Sequence, residues 1–413
     1  DSEFFLNTEE LLKRKKKEEF KDELIVIKGA RKFQFEAIAN MLQQKTHETV
    51  LEIDLESLIH NLNHFRNSLP AGIKTTAMVK AFGYGSGSFE IAHTLQFHHI
   101  DYLAVAYTDE GVELRKAGIT TPIMVMNPEE RSYQDLIKWQ LEPEVYSLRI
   151  LNQIISTLNS YSPTQSVTVH IKLDTGMHRL GFEENQIDQL NQFLTSNPKV
   201  IVGSLFSHLA ASDDPQLDHF TEFQISQFEK MSQMIMKQLS YKPLLHILNS
   251  AGILRFPSAR YSMVRLGLGL YGLSEDEKTQ MQLKPVSRLK SVISQIKTIK
   301  AGESVGYNRR FIADKTTRIA IIPIGYADGL SRQLAYSGGG LWINNQFAPF
   351  AGSISMDMCA VDITLLNEIA EGDEVIVFET AEQIKKIANT LNTIPYEILT
   401  GISRRVKRVY KNS

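Results

Sequence analysis

The sequence predicts an α/β barrel of eight βα units, (βα)8, followed by a mostly β C-terminal domain, with a short α/β segment ahead of both. Two observations carry that reading. Between residues 75 and 266 eight short apolar runs alternate with helix-length spacers, the pattern of a parallel sheet whose crossovers are helices. Eight such units suit a closed barrel better than an open doubly wound sheet. After about Leu283 the helical spacers stop, and strand-like runs are separated by Gly, Asp and Asn, as in a β domain.

Residues 1–46 come first. Asn7 with Glu10 three positions on resembles a helix cap, Leu24–Ile27 reads as a buried strand, and a short helix is expected from about Phe35 to Leu42. So short a segment is poorly sized for a core of its own and reads as the remnant of something larger. Residues 47–282 are the expected barrel. A leading strand, Val50–Asp54, and a helix precede the runs Thr75–Val79, Tyr102–Ala106, Pro122–Met126, Pro143–Tyr146, Val167–Leu173, Ile201–Phe206, Leu245–Leu248 and Met263–Leu266. Amphipathic segments such as Thr108–Ala117 and Gln216–Leu239 lie between them. A dinucleotide-binding sheet needs Gly-x-Gly-x-x-Gly after its first strand, and Gly83-Tyr-Gly85-Ser-Gly87 does not fit. Residues 283–413 are the expected β domain, with strands at Val292–Ile299, Arg318–Ile324, Leu341–Ile343, Cys359–Ile363 and Glu374–Phe378 and one helix near Ala381–Leu391.

The chain has 413 residues, 43% hydrophobic, and a formal net charge of −2. That balance gives no electrostatic case for nucleic acid or an anionic membrane as partner. The densest charge run, Lys13–Glu23, mixes both signs and reads as a solvated helix face. A single cysteine, Cys359, excludes an internal disulfide framework and suits a reducing cytoplasm. No apolar stretch approaches the roughly 18 residues that span a bilayer, the acidic start does not read as a secretory signal, and no metal is expected.

The chemistry begins at Ala77–Gly87, AMVKAFGYGSG. Active sites of these barrels lie at the C-terminal strand ends, and Lys80 ends the first barrel run. An amine desolvated on one side and reachable on the other has a lowered pKa and can act as nucleophile or base. Gly83, Gly85 and Gly87 let backbone approach a ligand closely. At the other end of the barrel sequence stand Asn249-Ser250-Ala-Gly252 and Val264-Arg265-Leu-Gly267-Leu-Gly269. Phosphate sites form in this architecture from the loops after strands seven and eight, and small residues with free N–H groups suit a phosphate. A reactive lysine facing a phosphate cradle fits pyridoxal phosphate. It also fits a Schiff-base aldolase acting on a sugar phosphate, and spacing alone leaves both open.

AMVKAFGYGSG resembles the lysine motif of alanine racemases. Further segments match that family in order: Ile171–Gly181, Met263–Gly267 with Tyr271-Gly272, Val305-Gly-Tyr307, Ile324–Gly329, Ser355–Met358 and Pro395–Glu397. The likeness covers about residues 48–413, and the family's fold is the one expected above. It implies pyridoxal 5'-phosphate carried by Lys80, which also serves as one of two bases. Tyr307 is the other, because a proton taken from one face of a carbon and returned to the other needs a base on each side. By the same similarity Arg265 faces the pyridine nitrogen. Arginine does not give up its proton at workable pH, so that nitrogen stays unprotonated and side reactions such as transamination are restrained.

The resemblance further implies that Arg179 donates to the phenolic oxygen of the cofactor and helps hold substrate. Tyr84, Asn249, Ser250, Gly267, Leu268 and Tyr396 would surround the phosphate, and His208 would pack against the ring. Met356 would offer a backbone N–H to the substrate carboxylate, with Tyr326 and Arg332 at the entrance. Lys172 matches a position that some members carry as a carbamate paired with the arginine corresponding to Arg179. Both its bare and its modified state stay open. The family places Tyr307 and Met356 in a partner's site, which implies a head-to-tail homodimer. The implied activity is interconversion of L- and D-alanine, supplying D-alanine for peptidoglycan. A racemase for serine or another small amino acid is the related alternative. A non-catalytic pyridoxal-phosphate carrier is the alternative of another class, and it would need neither the β domain nor Tyr307. A decarboxylase on this fold would want a carboxylate where Arg265 stands.

Asp22–Arg31 resembles the closing strand and loop of the muramyl ligase that adds D-alanyl-D-alanine to the peptidoglycan precursor. With the absent initial methionine, this suggests the racemase half of a ligase–racemase fusion. No Gly-x-x-x-x-Gly-Lys-Ser/Thr motif occurs, so no ligase activity is expected.

Overall fold

The computed structural model describes residues 3–16, 19–20, 25, 27–28, 38, 42 and 48–411. The chain forms two units, residues 1–48 and 49–413. In the first, a helix spans Thr8–Arg14. Asn7 caps it as expected, its Oδ1 accepting from the Glu10 N–H at 2.9 Å. Glu9 and Glu10 in the first turn and Lys13 and Arg14 in the last complement the helix dipole. The expected strand at Leu24–Ile27, the expected helix at Phe35–Leu42 and the ligase-like stretch fall mostly outside the described residues.

The second unit contains the barrel. Its strands are β2 (Lys74–Met78), β3 (Tyr102–Val105), β4 (Ile123–Val125), β5 (Glu142–Val145), β6 (Val167–Lys172), β7 (Val200–Phe206), β8 (Leu244–His246) and β9 (Met263–Leu266). Each lies within about two residues of the run expected for it. They pair in the order β8-β7-β6-β5-β4-β3-β2-β9. Closure between β8 and β9 comes from Ser262 N–H to Leu245 O at 3.1 Å and Arg265 N–H to Leu248 O at 3.0 Å. The runs are legible because barrel strands are covered on both faces: Ala77, Leu103, Val105, Ile123, Val125, Val145, Ile171, Leu205 and Leu266 are all buried. The helix Leu55–Asn67, capped by Asp54, contributes Leu58, Leu62 and Phe65 to the same core.

The leading strand corrects one expectation. β1 (Val50–Asp54) is not part of the barrel unit. It pairs antiparallel with β10 (Ser287–Val292) and parallel with β19 (Lys407–Lys411). It therefore lies inside a six-stranded sheet of order β16-β15-β18-β10-β1-β19, with β15 at Gly340–Ile343, β16 at Gln346–Pro349 and β18 at Glu374–Phe378. The barrel is thus inserted between the first strand of this sheet and the rest. The expected strand Val292–Ile299 is also two strands. β10 ends at Val292, and β11 (Gln295–Ile299) joins a separate sheet with β14 (Thr317–Ile322) and β17 (Cys359–Asp362). β12 (Ser304–Val305) and β13 (Phe311–Ile312) form a short hairpin carrying Tyr307 between them. The helix expected near Ala381–Leu391 spans Ala381–Thr390, and an unexpected one, Pro395–Thr400, follows it.

Charges knit the six-stranded sheet. Glu52 on β1 reaches Lys290 at 2.8 Å, Lys411 at 2.8 Å and Arg288 at 3.3 Å. Burial pushes the Glu52 carboxyl up, but hydrogen bonds from Lys290 and Lys411 outweigh this and leave it below its ordinary value.

Candidate active site

Lys80 directly follows β2, and there the backbone reverses hand. Ala81, Phe82, Gly83, Tyr84 and Gly85 have φ of 52°, 55°, 56°, 52° and 81°. A left-handed turn costs L-residues about 1–2 kcal/mol each, so it persists only where its surroundings fix it. Here Gly83 N–H bonds Val79 O at 3.0 Å and Gly85 N–H bonds Ala81 O at 3.0 Å. Glu110 holds the turn from the barrel side, its two oxygens accepting from Ala81 N–H and Ala106 N–H, both at 2.7 Å. Arg408 on β19 holds it from the other, donating to Gly85 O at 3.0 Å, while Arg404 and Arg408 lie over the Phe82 ring. A side chain on Gly85 would run into the carbonyl of Leu399. The glycine thus serves backbone packing inside the protein, whereas close approach to a ligand was the reason read from the sequence.

The Lys80 side chain is half-buried. Burial lowers its amine from the ordinary value, and the charges of Arg179 and Lys172 add to this, against Glu110 and Glu144. Lys172, at the end of β6, is buried with its Nζ 3.0 Å from Glu144 Oε1 on β5. Burial pushes the Glu144 carboxyl up and the Lys172 amine down, each opposed by the charge of the other. Arg179 lies exposed on the loop after β6.

Arg265, 3% exposed on β9, is the most fully determined group of the site. It donates to Ser207 O at 2.8 Å, Ile247 O at 3.0 Å, His246 Nδ1 at 2.7 Å and His208 Nδ1 at 3.3 Å. Burial pushes it down to about 10, so it stays cationic at neutral pH. Burial, then the Arg265 charge, pushes His246 and His208 well down, so both are neutral. An arginine only donates, and this fixes a chain through the barrel. His246 accepts at Nδ1 and donates from Nε2 to Ser204 Oγ at 2.9 Å. Ser204 donates to His170 Nδ1 at 2.7 Å, and His170 donates from Nε2 to Glu142 Oε2 at 2.9 Å. A carboxylate at one end and a guanidinium at the other leave a single direction for every proton between.

The residues expected around a phosphate lie together. Gly267 N–H bonds Ser250 Oγ at 2.8 Å. Asn249 Oδ1 caps the helix Ser250–Arg255 by accepting from Gly252 N–H at 3.0 Å, and also accepts from Ser212 Oγ at 2.8 Å. Backbone at Leu268 hydrogen-bonds the Tyr396 phenol. The Tyr84 ring packs between Tyr271 and Tyr396, with centroids 4.6 and 5.7 Å away. A cavity of about 470 Å³ opens here, lined by His208, Asn249, Ser250, Leu268 and Tyr396 among others.

Two predicted residues are not packed into this mouth. Tyr307 is 70% exposed and Met356 53% exposed, both on the C-terminal domain. The backbone at Met356 is tied to the expected entrance, its carbonyl accepting from Ala327 N–H at 3.0 Å. Arg332 lies 5.9 Å from the Tyr326 ring centroid. Glu110, Glu144, Ser207 and His246 were missed in the sequence. For Glu144 and His246 a signal existed, since each interrupts an apolar barrel run.

Residues 53–275 match the family described as alanine racemase, N-terminal domain, and residues 286–410 match its C-terminal domain. The chain belongs to the alanine racemase family. The alanine racemase of Clostridium tetani is 36% identical over 369 residues, covering 87% of this chain and 94% of the relative. That of Nostoc is 37% identical over 371 residues, covering 87% and 95%. Among solved structures, alanine racemase of Clostridium difficile is 34% identical with a TM-score of 0.84, covering 90% of this chain and 97% of that one. The Bacillus anthracis alanine racemase with bound L-Ala-P is 27% identical with a TM-score of 0.82, over 90% and 97%. As an alanine racemase the chain is an isomerase, with the barrel and β domain of that family. Among the described residues, no helix is long and apolar enough to cross a membrane.

Proposed function

We propose that the protein interconverts L- and D-alanine with pyridoxal 5'-phosphate, and that Lys80 and Tyr307 are its two bases. The observation that carries this is the Lys80 amine at the barrel mouth, together with the buried Arg265 and the cradle of Ser250, Gly267 and Leu268. The residues present fit that cofactor. The cavity of about 470 Å³ beside Ser250, Leu268 and Tyr396 leaves room for a ligand. The buried cation is a pure donor, suited to a ring nitrogen that accepts. Bound there, pyridoxal phosphate supplies an electron-withdrawing ring that acidifies the α-hydrogen of an attached amino acid.

The chain's own residues do the rest. The Lys80 amine, lowered by burial, takes and returns a proton on one face of the α-carbon. The Tyr307 hydroxyl serves the opposite face, and its exposure in a single chain supports a head-to-tail homodimer in which Tyr307 and Met356 complete the partner's site. Arg265 holds a ring nitrogen as an acceptor and Arg179 a phenolic oxygen. Tyr84, Ser250, Gly267, Leu268 and Tyr396 bind phosphate, helped by Asn249 as cap of the Ser250 helix. His208 flanks the ring, the Met356 N–H meets the substrate carboxylate, and Tyr326 and Arg332 narrow the entrance. The reading includes a cytoplasmic setting, D-alanine supply for peptidoglycan, domain limits near residues 47 and 283, and a ligase-derived first segment without ligase activity.

The test is incubation with L-alanine in deuterated water, following chirality and exchange at the α-carbon. Racemisation with deuterium incorporation is expected, with a cofactor absorbance that Lys80→Ala abolishes. Tyr307→Phe should slow proton delivery in one direction far more than it weakens cofactor binding. Equal loss of proton delivery and of cofactor binding would count against two bases.

A further inference from the structure

Glu144 is a buried acid that the proposed chemistry does not use. It is 1% exposed, on barrel strand β5, and a buried carboxylate is costly unless it is paired. Its Oε1 stands 3.0 Å from Lys172 Nζ, an ion-pair distance without the alignment of a hydrogen bond. Its Oε2 is fully enclosed and has no hydrogen-bond partner among the described residues. The charges that act on it most are the cations Lys172, Arg265 and Arg179. The Lys172 ammonium also lies 5.4 Å from the centroid of the Phe206 ring, so both sides of this amine favour a cation. A carbamate on Nζ would set a second anion against Oε1 in the same enclosed space.

We propose that Glu144 takes the place of a lysine carbamate in this chain. It keeps Lys172 an unmodified ammonium. Glu144 is a positioning residue, acting on the reaction through Lys172. For the kinetic arm below, the inference rests on the racemase reading; the labelling arm does not.

The test uses the full chain with and without pyridoxal phosphate, in 13C-bicarbonate, read by 13C NMR for a lysine carbamate. Wild type is expected to show no carbamate signal, and its rate should not respond to bicarbonate. Glu144→Gln removes the competing anion. The neutral Lys172 amine can then add to the carbon of CO2, forming one N–C bond as a C–O π pair moves to oxygen and one proton leaves nitrogen for solvent. A signal should therefore appear in Glu144→Gln and vanish in Glu144→Gln/Lys172→Ala. Without bicarbonate, kcat of Glu144→Gln should fall about tenfold, as for loss of other positioning contacts, and bicarbonate should restore part of it. Glu144→Asp should stay unlabelled. A carbamate on wild-type Lys172 would overturn the proposal whether or not the variants fold. So would a Glu144→Gln protein that is unlabelled, indifferent to bicarbonate and unchanged in kcat. Failure of the racemase reading would show separately, as wild type without cofactor absorbance, and would leave the labelling result standing.

Discussion

Replacing Ser204 by alanine removes one oxygen from the middle of the chain that runs from Glu142 to Arg265. The hydroxyl is fully buried, accepts from His246 Nε2 at 2.9 Å and donates to His170 Nδ1 at 2.7 Å. The substitution opens almost no volume, so its cost is the two partners left behind. An orphaned buried polar group costs about 1–3 kcal/mol. His246 cannot escape by moving its proton to Nδ1, because that atom must accept from Arg265. The expected loss is therefore about 2–6 kcal/mol, from two orphans of that size. Ser232 supplies the control. It is equally buried, at 1% exposed, but its hydroxyl has no hydrogen-bond partner among the described residues. Ser232→Ala should be neutral or stabilise by up to about 1 kcal/mol, since an unpaired hydroxyl is removed. Urea unfolding of both variants at neutral pH, compared at equal m-value, decides the matter. A Ser204→Ala protein within about 0.5 kcal/mol of wild type, or a Ser232→Ala protein that loses as much, would refute the proton assignment through the barrel.

Gly85→Ala should cost about 1–2 kcal/mol for a left-handed alanine plus about 1–3 kcal/mol for the overlap with Leu399. Gly72→Ala, also left-handed but with open space around it, should show only the first of these; equal midpoints in urea would contradict the clash. Glu52 is held below its ordinary carboxylate value by its lysines, so its contribution is present above about pH 4.3. It is lost as pH falls through the lower folded value. Glu52→Gln should therefore flatten the acid limb of stability between about pH 5 and 3 and change little between about pH 7 and 8, as measured by thermal unfolding across pH.

The barrel was legible because its strands are covered on both faces and so read as nearly unbroken apolar runs. The strand β1 was legible but its place was not, since its partners, around Lys290 and Lys407, are far off in sequence. Nothing local marks them. Lys80 and the small residues around Ser250 and Gly267 could be reached from position in the architecture alone, whereas Tyr307 and Met356 came only through family resemblance. Glu142, His170, Ser204 and His246 sit one to a strand on four strands. Their connection exists only in the cross-section of the closed barrel, which no linear spacing records. Left-handed backbone at Ala81 and Phe82 was equally hidden, because neither residue type favours it.

The placement of β19 has a consequence for how the protein is made. Synthesis runs from the amino end, so the barrel can emerge and close while β1 waits some 240 positions for Lys290 and longer for Lys407. Arg408, on that final strand, is also the clamp on Gly85 beside Lys80. The turn beside the reactive amine is thus fastened only after a strand far along the chain from it has been made. A chain still short of Arg408 would hold a closed barrel whose central lysine sits on an unfastened turn.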